Sequence, residues 1–380
     1  MKVLLFYASY GGGHYSAASS IMQYIKKAHP DVEVDICDLI KYISKSVDKI
    51  TTDAYKRVTR DTPKLWKKFY EVADGNFHLV PDYNFSRFYY MPILHLLKKS
   101  KPDIVISSHP VGSQIVSYIK EKGKYDCKLA SVMTDFASHN QWLIGHEYID
   151  YIFVSNESMR EDIISKGVDA NKIYATGIPL SNRFLQHFDR EEIKKSFDLD
   201  LNKHTILFFG GGEFGLGKDK TLLLLEHFIN SLNDTYQMIA IAGKNEKMEK
   251  SFRDLVIRLN ATDKVQVFGY TNEVPELMSI SSLVVTKPGG LTTTESLASG
   301  LPMLIINPIP GQEVQNALFL EEQGVAIWIK NEADSGIVIR NILKNTTEIK
   351  HMKIKAKLLA KKNSTRDICE ILLENDKRDH

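Results

Sequence analysis

The sequence predicts an α/β protein of two domains, each organised around a mostly parallel β-sheet. A chain of 380 residues is too long for one ordinary hydrophobic core and suits two domains. Short apolar runs rich in Val and Ile alternate with amphipathic segments, as they do in βα units. These runs form two series, separated by a polar and charged junction at residues 181–204. We therefore predict domains at 1–180 and 205–352, followed by a basic helical tail at 353–380 that could pack back on the N-terminal domain.

The strands are predicted from the apolar runs, taken in chain order. In the first half these runs are KVLLFYAS, VEVDICD, DIVISSH, KLASVMTD, YIFVSN and KIYATGIP, and the helical segment YSAASSIMQYIKKA follows the first of them. In the second half they are TILFFGGG, YQMIAIAGK, KVQVFGY, LVVTKPGG, MLIINPIP and AIWIK. Each half contains a strand that leads directly into a glycine cluster, so we predict two Rossmann-like domains that face each other across a cleft.

The composition is that of a soluble globular protein, and the N-terminus leads us to expect it in the cytoplasm. The chain is 43% hydrophobic and 25% charged, with a net charge of +2. No apolar run approaches the roughly 18 to 20 residues that span a bilayer, and the N-terminus turns into glycines where a signal peptide would continue. The cysteines, Cys37, Cys127 and Cys369, are too widely spaced to indicate disulfides or a structural zinc. The acidic tripeptide at 198–200 lies in the polar junction, so we interpret it as a solvated turn and predict no metal site.

Two glycine-led loops are candidates for binding an anion. In ASYGGGHYSAASSI, residues 8–21, a strand runs into three glycines and then His14. This stretch is either a nucleotide loop or a place where His14 does chemistry. In LVVTKPGGLTTTESLASG, a helix begins near Thr292, and its free backbone N–H groups can hold a phosphate while Glu295 accepts hydrogen bonds from ribose hydroxyls. An ordinary βα turn with a threonine cap is the alternative for this second loop.

A rigid loop in the second half carries side chains suited to a sugar. In INPIPGQEVQNA, two prolines stiffen a segment that presents Gln312, Glu313 and Asn316 where a helix starts. Amide and carboxylate groups bind several hydroxyls at once. A cluster that only caps the helix is the alternative interpretation.

Polar and aromatic residues follow two strands of the first half. His109 stands at one predicted strand end and Asp135 at another, with His139 and Trp142 shortly after it. Residues at the carboxyl ends of parallel strands line the crevice of open α/β sheets, which makes these four candidates for the site. Helix capping is the alternative for His139 and for Asp135.

A basic and aromatic window extends from residue 41 to residue 101. It contains 13 Lys and Arg against 6 Asp and Glu, together with 11 aromatic residues. Within it, TPKLWKKFYEVA predicts a helix with an apolar face opposite a cationic one, a pattern typical of helices that lie in the headgroup layer of an anionic membrane. The residues assigned to membrane contact are Leu65, Trp66, Lys67, Lys68, Phe69 and Tyr70. A surface helix packed on the core is the alternative, and nucleic acid is not an expected partner.

Five motifs in order resemble one family over nearly the whole chain. They are GGGHYSAA, TDFASHNQW, FFGGGEFGLG, TKPGGLTTTE and NPIPGQEVQNA, and together they resemble the diacylglycerol glycosyltransferases, relatives of the transferase that acts on lipid I. This resemblance implies a GT-B fold and an inverting, metal-independent transfer of a hexose, glucose in first place, from a UDP-sugar to diacylglycerol or glycosylated diacylglycerol. It also implies a peripheral location on the inner face of the cell membrane, and no cofactor.

The resemblance assigns the donor-binding residues by their match to the family's motifs. It implies contacts of Gly289, Gly290 and Thr292 with the diphosphate, of Glu295 with the ribose, and of Gln312, Glu313 and Asn316 with the hexose. It places Gly211, Gly212 and Glu213 at the border of the same pocket, and it matches Gly12 and Gly13 to the glycine loop of the N-terminal domain.

The transfer needs a base, because an alcohol is a poor nucleophile until it loses its proton. His14 is the first candidate, since imidazole titrates near neutral pH. Asp135 is the second, either as the base itself or as the carboxylate that orients the imidazole. Three other functions stay open: transfer of N-acetylglucosamine to a polyprenyl-linked acceptor, 2-epimerisation of a UDP-sugar, and a UDP-sugar sensor without catalysis. The 2-epimerases share the GT-B architecture but have no need of a lipid-docking helix.

Overall fold

The computed structural model describes residues 1–9, 12–43, 84–210 and 217–376. They form two six-stranded sheets, and all of the strand pairs are parallel. The predicted architecture, two α/β domains with parallel sheets, is confirmed. No helix among the residues that the structure describes is long and apolar enough to cross a bilayer.

The N-terminal sheet has the strand order β2-β1-β3-β4-β5-β6. Its strands are β1 Lys2–Tyr7, β2 Glu33–Asp38, β3 Ile104–Ser107, β4 Lys128–Val132, β5 Tyr151–Phe153 and β6 Ile173–Tyr174. Its helices are α1 Gly13–Ala28, α2 Leu39–Ile43, α3 Asn84–Ser100, α4 Pro110–Glu121 and α5 Glu157–Ser165, with 3₁₀ turns at Asn140–Trp142, His146–Tyr148, Ala170–Lys172 and Asn182–Leu185.

The C-terminal sheet has the order β12-β11-β10-β7-β8-β9. Its strands are β7 His204–Phe209, β8 Tyr236–Ile241, β9 Val265–Phe268, β10 Ser281–Thr286, β11 Met303–Ile306 and β12 Ala326–Ile329. The helices of this half are α6 Arg190–Ser196, α7 Lys218–Ser231, α8 Glu246–Arg258, α9 Val274–Ile280, α10 Gly290–Ala298, α11 Gln312–Glu322, α12 Ser335–Lys344, α13 Thr346–Leu359 and α14 Ser364–Asp376, with a 3₁₀ turn at Glu332–Asp334.

The apolar runs form these strands because both faces of each sheet are covered by helices. In β1, Leu4 and Phe6 pack into the core on one face, while Val3 and Leu5 pack into the core on the other. A strand buried on both faces is apolar at every position, which is why the sequence shows a continuous run where a half-exposed strand would alternate. The same holds for the fully buried β8 and β11.

The strand order of each sheet determines where a ligand can bind. In the C-terminal sheet the order reverses between β7 and β10, as it does in dinucleotide-binding folds. In the N-terminal sheet it reverses between β1 and β3. Helices leave in opposite directions at such a point and open a crevice at the carboxyl ends of the strands. The glycine loop after β1 and the glycine loop after β10 lie at these two reversal points.

The last helix that the structure describes, α14, returns to the N-terminal domain. On α14, Ile368, Cys369, Leu372 and Leu373 are buried in the same core cluster as residues of β1 and α1. Just before them, the Thr365 hydroxyl accepts a hydrogen bond from Leu180 N at 2.8 Å. The tail therefore begins on the C-terminal domain and completes the apolar core of the N-terminal one.

Candidate active site

His14 lies at the reversal point of the N-terminal sheet, in the first turn of α1. Its Nδ1 atom is 2.6 Å from the carbonyl oxygen of Ser108, the residue that follows β3, and 3.2 Å from the hydroxyl of Thr134, which follows β4. A carbonyl oxygen only accepts hydrogen bonds, so Nδ1 carries the hydrogen and donates it to Ser108. The lone pair of the imidazole is therefore on Nε2, the atom available to take a proton.

The environment keeps His14 neutral. Burial lowers the pKa of His14 to about 4, while its hydrogen bond to the Ser108 carbonyl acts in the opposite direction. The ring of His109 meets that of His14 edge to face, with centroids 4.7 Å apart. Burial and the neighbouring His14 also lower the pKa of His109, and its Nδ1 accepts a hydrogen bond from Val111 N at the start of α4. Both rings are thus unprotonated at neutral pH.

Asp135 belongs to the N-terminal domain, as His14 does, but its hydrogen-bond partner lies in the C-terminal domain. Its Oδ1 atom accepts a hydrogen bond from the Asn316 side chain at 3.3 Å. Burial raises the pKa of Asp135 to about 6, with Asn316 acting against the rise and Glu313 adding to it. The Nδ1 hydrogen of His14 is directed at the Ser108 carbonyl. The backbone oxygen of Ser108 therefore orients the imidazole, whereas the sequence analysis considered the Asp135 carboxylate for this role.

Ser108 and Thr134 are site residues that the sequence analysis missed. Ser108 directly follows β3 and Thr134 is the second residue after β4, and these two strands lie beside each other in the N-terminal sheet. β3 also pairs with β1, from which the loop to His14 departs. The available signal was the position after a strand, which the sequence analysis used only for the titratable His109 and Asp135.

The donor-side loop begins α10 without a side-chain cap. Gly289 is the N-cap residue, and no side chain occupies its capping position. The N–H groups of the first turn have no partner within the helix and converge where the helix dipole is positive. At Gly290, an added Cβ would stand 1.8 Å from the carbonyl oxygen of Thr134. Only glycine permits this approach, which brings the N-terminus of α10 against the segment that carries Asp135.

Glu295 stands in α10 as a carboxyl group without a bonded partner. No hydrogen-bond donor among the residues that the structure describes reaches its side chain. Burial raises the pKa of Glu295 to about 8. A half-buried carboxyl in this state gains hydrogen bonds when a ligand supplies hydroxyls, because ordered groups then replace the solvation that it has lost.

The loop before α11 supplies an ion pair and a free amide. Lys287 Nζ lies 3.1 Å from Glu313 Oε1, and Glu313 Oε2 accepts a hydrogen bond from Ile309 N at 2.7 Å. Lys287, another residue that the sequence analysis missed, thereby holds the loop beside the start of α10. Within the part of the chain that is described, the half-buried side chain of Gln312 has no hydrogen-bond partner, so its amide is available to a ligand.

Asn316 is fully buried and connects the two domains. Its Oδ1 atom accepts from Phe136 N at 2.8 Å, and its Nδ2 atom donates to Pro288 O at 3.0 Å as well as to Asp135. Both amide hydrogens are therefore engaged in protein contacts, and no donor is left for a hexose.

Two further candidates lie apart from this cluster. Trp142 is 1% exposed and packs in the core of the N-terminal domain. His139 is also buried, and its Nδ1 accepts from Gln141 N at 3.1 Å, which caps the 3₁₀ turn that contains Trp142. The turn points the indole into the core because an apolar ring gains most from burial there. We assign neither residue a contact with the acceptor.

Some predicted site residues lie outside the described part of the chain. They are Gly211, Gly212 and Glu213 of the glycine-rich loop, and the residues predicted to contact the membrane, Leu65, Trp66, Lys67, Lys68, Phe69 and Tyr70. Among the described ranges, no group of three or more His, Cys, Asp or Glu side chains is arranged to hold a metal ion.

Comparisons of the sequence with known proteins agree in both halves of the chain. The family described as monogalactosyldiacylglycerol (MGDG) synthase matches residues 14–180, and glycosyl transferases group 1 matches residues 189–359. A processive diacylglycerol beta-glucosyltransferase of Staphylococcus aureus (strain JH9) is 28% identical in an alignment of 378 residues that covers 98% of this chain and 92% of that protein. The protein of the same description from Staphylococcus epidermidis is 29% identical in an alignment of 380 residues, gaps included, with the same coverage.

Solved structures share the architecture at low sequence identity. UDP-bound MnaA from S. aureus has a TM-score of 0.67 at 10% identity and covers 98% of this chain and 95% of its own. MurG from Acinetobacter baumannii has a TM-score of 0.65 at 14% identity, covering 98% and 99%. HepE from Anabaena, in complex with UDP, has a TM-score of 0.58 at 14% identity, covering 98% and 100%. At these identities the likeness shows the fold alone.

Proposed function

Because the chain is a GT-B glycosyltransferase of the diacylglycerol glycosyltransferase family, we propose that it transfers glucose from UDP-glucose to diacylglycerol or to glycosylated diacylglycerol. The transfer inverts the anomeric configuration, needs no metal ion, and takes place on the inner face of the cytoplasmic membrane. The observation that carries this proposal is the neutral His14, whose Nδ1 is hydrogen-bonded to the Ser108 carbonyl so that Nε2 keeps its lone pair. His14 stands at the start of α1, where an added Cβ on the preceding Gly13 would lie 3.4 Å from Leu291 of α10.

In the proposed reaction, the hydroxyl oxygen of the lipid attacks the anomeric carbon of the donor sugar. His14 Nε2 takes the hydroxyl proton, and the bond between the anomeric carbon and the β-phosphate oxygen breaks, so that UDP leaves. The Ser108 carbonyl accepts from Nδ1–H and stabilises the imidazolium that forms. Asp135, on the same side of the cleft, adds negative charge near that cation when it is ionised.

The leaving group acquires charge on its phosphate oxygens as the bond breaks. In the proposed complex, the free N–H groups after Gly289 and Gly290 and the hydroxyl of Thr292 donate to the diphosphate. Gly12 leaves room at the facing helix start, since an added Cβ there would meet nothing within 4 Å, whereas one at Gly13 would lie 3.4 Å from Leu291 of α10. Added EDTA should therefore leave the rate unchanged, and a loss of activity that Mg²⁺ restores would contradict metal independence.

The donor is recognised by residues of the C-terminal domain. Glu295 accepts hydrogen bonds from the ribose hydroxyls, because its carboxyl has no partner within the described protein. Gln312 offers a free amide to the hexose, and Glu313, fixed by Lys287, presents its remaining acceptor sites. The resemblance to the family also implies that Gly211, Gly212 and Glu213, which lie outside the described residues, border this pocket.

The test of the activity is incorporation of label into lipid. The protein is incubated with diacylglycerol vesicles and radiolabelled UDP-glucose, UDP-galactose or UDP-N-acetylglucosamine, and the lipids are separated. We expect label from UDP-glucose in lipid and an excess of β-anomer by NMR. Label only from UDP-N-acetylglucosamine, and only with a polyprenyl-linked acceptor, would favour the alternative transferase. UDP binding without product from any combination would favour a sensor.

The membrane location rests on the sequence of the basic window. We expect the double substitution Trp66→Ala with Lys67→Glu to weaken sedimentation with vesicles that contain anionic lipid, while UDP affinity stays the same. Equal sedimentation of the variant and the wild type would remove the support for this docking segment.

A further inference from the structure

A single buried amide joins the segment that carries Asp135 to the loop that leads into α10. Asn316 belongs to α11, and none of its surface is exposed. Its three hydrogen bonds reach Phe136 N and Asp135 Oδ1 in the N-terminal domain and Pro288 O in the C-terminal domain. Pro288 directly precedes the glycines that begin α10, and Asp135 directly follows Thr134, whose hydroxyl lies 3.2 Å from His14 Nδ1.

The set of partners allows only one orientation of the side chain. The Phe136 N–H is a donor and requires the oxygen of Asn316, whereas the Pro288 carbonyl and the Asp135 carboxyl are acceptors and require the nitrogen. A carboxylate at this position would lose both donations, and an apolar side chain would leave three buried polar groups without a partner. The amide thus fits a clamp between two backbone segments, and it has no hydrogen left for a ligand.

Building on the function proposed above, we propose that Asn316 is a positioning residue that clamps the segment Thr134–Phe136 onto the donor loop and thereby aligns His14 with the bound donor. Donor loading on the C-terminal domain and base alignment on the N-terminal domain are then coupled through one side chain.

Because charged groups surround Asn316, removal of its amide should change the pH dependence of kcat/KM. Asp135 faces Glu313, which raises its pKa, and Glu313 is paired with Lys287 on the neighbouring loop. The donation from Asn316 acts against burial and favours the ionised carboxylate. Loss of the amide therefore raises the pKa of Asp135 further, and the acid limb of kcat/KM moves to higher pH.

The first test combines kinetics with amide exchange in the full-length protein. For Asn316→Ala we expect kcat to fall about 10- to 100-fold while KM for UDP-glucose changes less than about threefold, because the loss concerns alignment in the transition state. The Phe136 amide should exchange with deuterium at least about tenfold faster, since it loses its buried acceptor. The matched control is Asn345→Ala, which removes a helix-capping amide remote from the cleft and should change neither quantity.

The second variant keeps the shape of the side chain. Asn316→Asp retains an acceptor for Phe136 N but directs carboxyl oxygens at Pro288 O and Asp135, so its activity should be lower at pH 8 than at pH 6, relative to wild type. A tenfold rise in KM with unchanged kcat in Asn316→Ala, or an unchanged exchange rate at Phe136, overturns the clamp. Wild-type protein that makes no glycolipid refutes the proposed function instead, and the exchange measurement still decides the clamp.

Discussion

At the scale of single residues, the chemistry depends on the protonation of His14. The Ser108 carbonyl fixes the tautomer, and burial holds the pKa of the ring at about 4. A base with so low a pKa accepts the proton less readily than free imidazole, but it is present in the unprotonated form throughout the physiological range. The low pKa therefore increases the fraction of His14 that can act as a base and decreases its affinity for the proton.

Replacement of His14 by Ala should lower kcat by about 10²- to 10⁴-fold, the usual effect of removing a general base. UDP affinity, measured by isothermal titration calorimetry, should stay within about threefold of wild type, because the diphosphate contacts lie on the other domain. Residual activity within a factor of about three of the wild type would assign the base to Asp135 or to solvent.

The pH profile of the wild-type enzyme should distinguish the titration of the Asp135 carboxyl from that of the His14 imidazole. Protonation of the base abolishes the reaction, so kcat/KM should be level around pH 7 and fall as the pH decreases through the pKa of Asp135, about 6, and that of His14, about 4. The measurement is initial rate against pH with buffers of constant ionic strength. A fall that begins above pH 7 would show that His14 titrates like an ordinary histidine.

Glu295 should couple stability to pH in the opposite sense from a paired carboxylate. Its pKa is about 8 in the folded protein, above that of an unfolded glutamate, so the folded state binds the extra proton and loses stability as the pH rises from about 4.5 to 8. Glu295→Gln should raise the melting temperature at pH 8 and change it little at pH 5. The same variant should weaken UDP binding about tenfold through the ribose. Equal melting shifts at both pH values would contradict the raised pKa.

At the scale of elements, the sequence predicts the strands, the glycine loops and the helices that follow them, because continuous apolar runs and glycine clusters are local signals. It does not reveal which polar atoms meet. Ser108 and Thr134 contact His14 only because β1, β3 and β4 are neighbours, and strand order arises from long-range pairing. The position of Trp142 likewise depends on a 3₁₀ turn that carries no marked sequence pattern.

The N-terminus of α10 provides a matched pair of glycine substitutions. Gly290→Ala should destabilise the protein by about 2 kcal/mol or more, since its Cβ would stand 1.8 Å from the Thr134 carbonyl oxygen and push the two domains apart. Gly289→Ala should change stability by less than about 1 kcal/mol, because nothing lies within 4 Å of its Cβ and its φ of −70° suits alanine. Chemical denaturation measures both. Equal effects would mean that the domains do not touch here in solution.

At the scale of the whole molecule, the tail ties the C-terminal domain to the N-terminal one. Ile368→Ala should cost about 2 to 5 kcal/mol of unfolding free energy, because its side chain is fully buried against α1. Ile354→Ala, on the preceding helix, should cost less than about 0.5 kcal/mol, as Ile354 is 57% exposed. The comparison by urea denaturation tests whether the last helix is an integral part of the fold.

The return of α14 to α1 also determines the order in which the protein can be completed during synthesis. The N-terminal sheet is translated first, yet Ile368, Leu372 and Leu373, which close its core, are among the last residues of the described chain. The C-terminal sheet is flanked by its own helices and can form its core before the N-terminal domain receives its last helix. On the ribosome, the domain that emerges first is therefore finished only after the other one, and a nascent chain that stops before α14 leaves the apolar residues of α1 that α14 covers exposed.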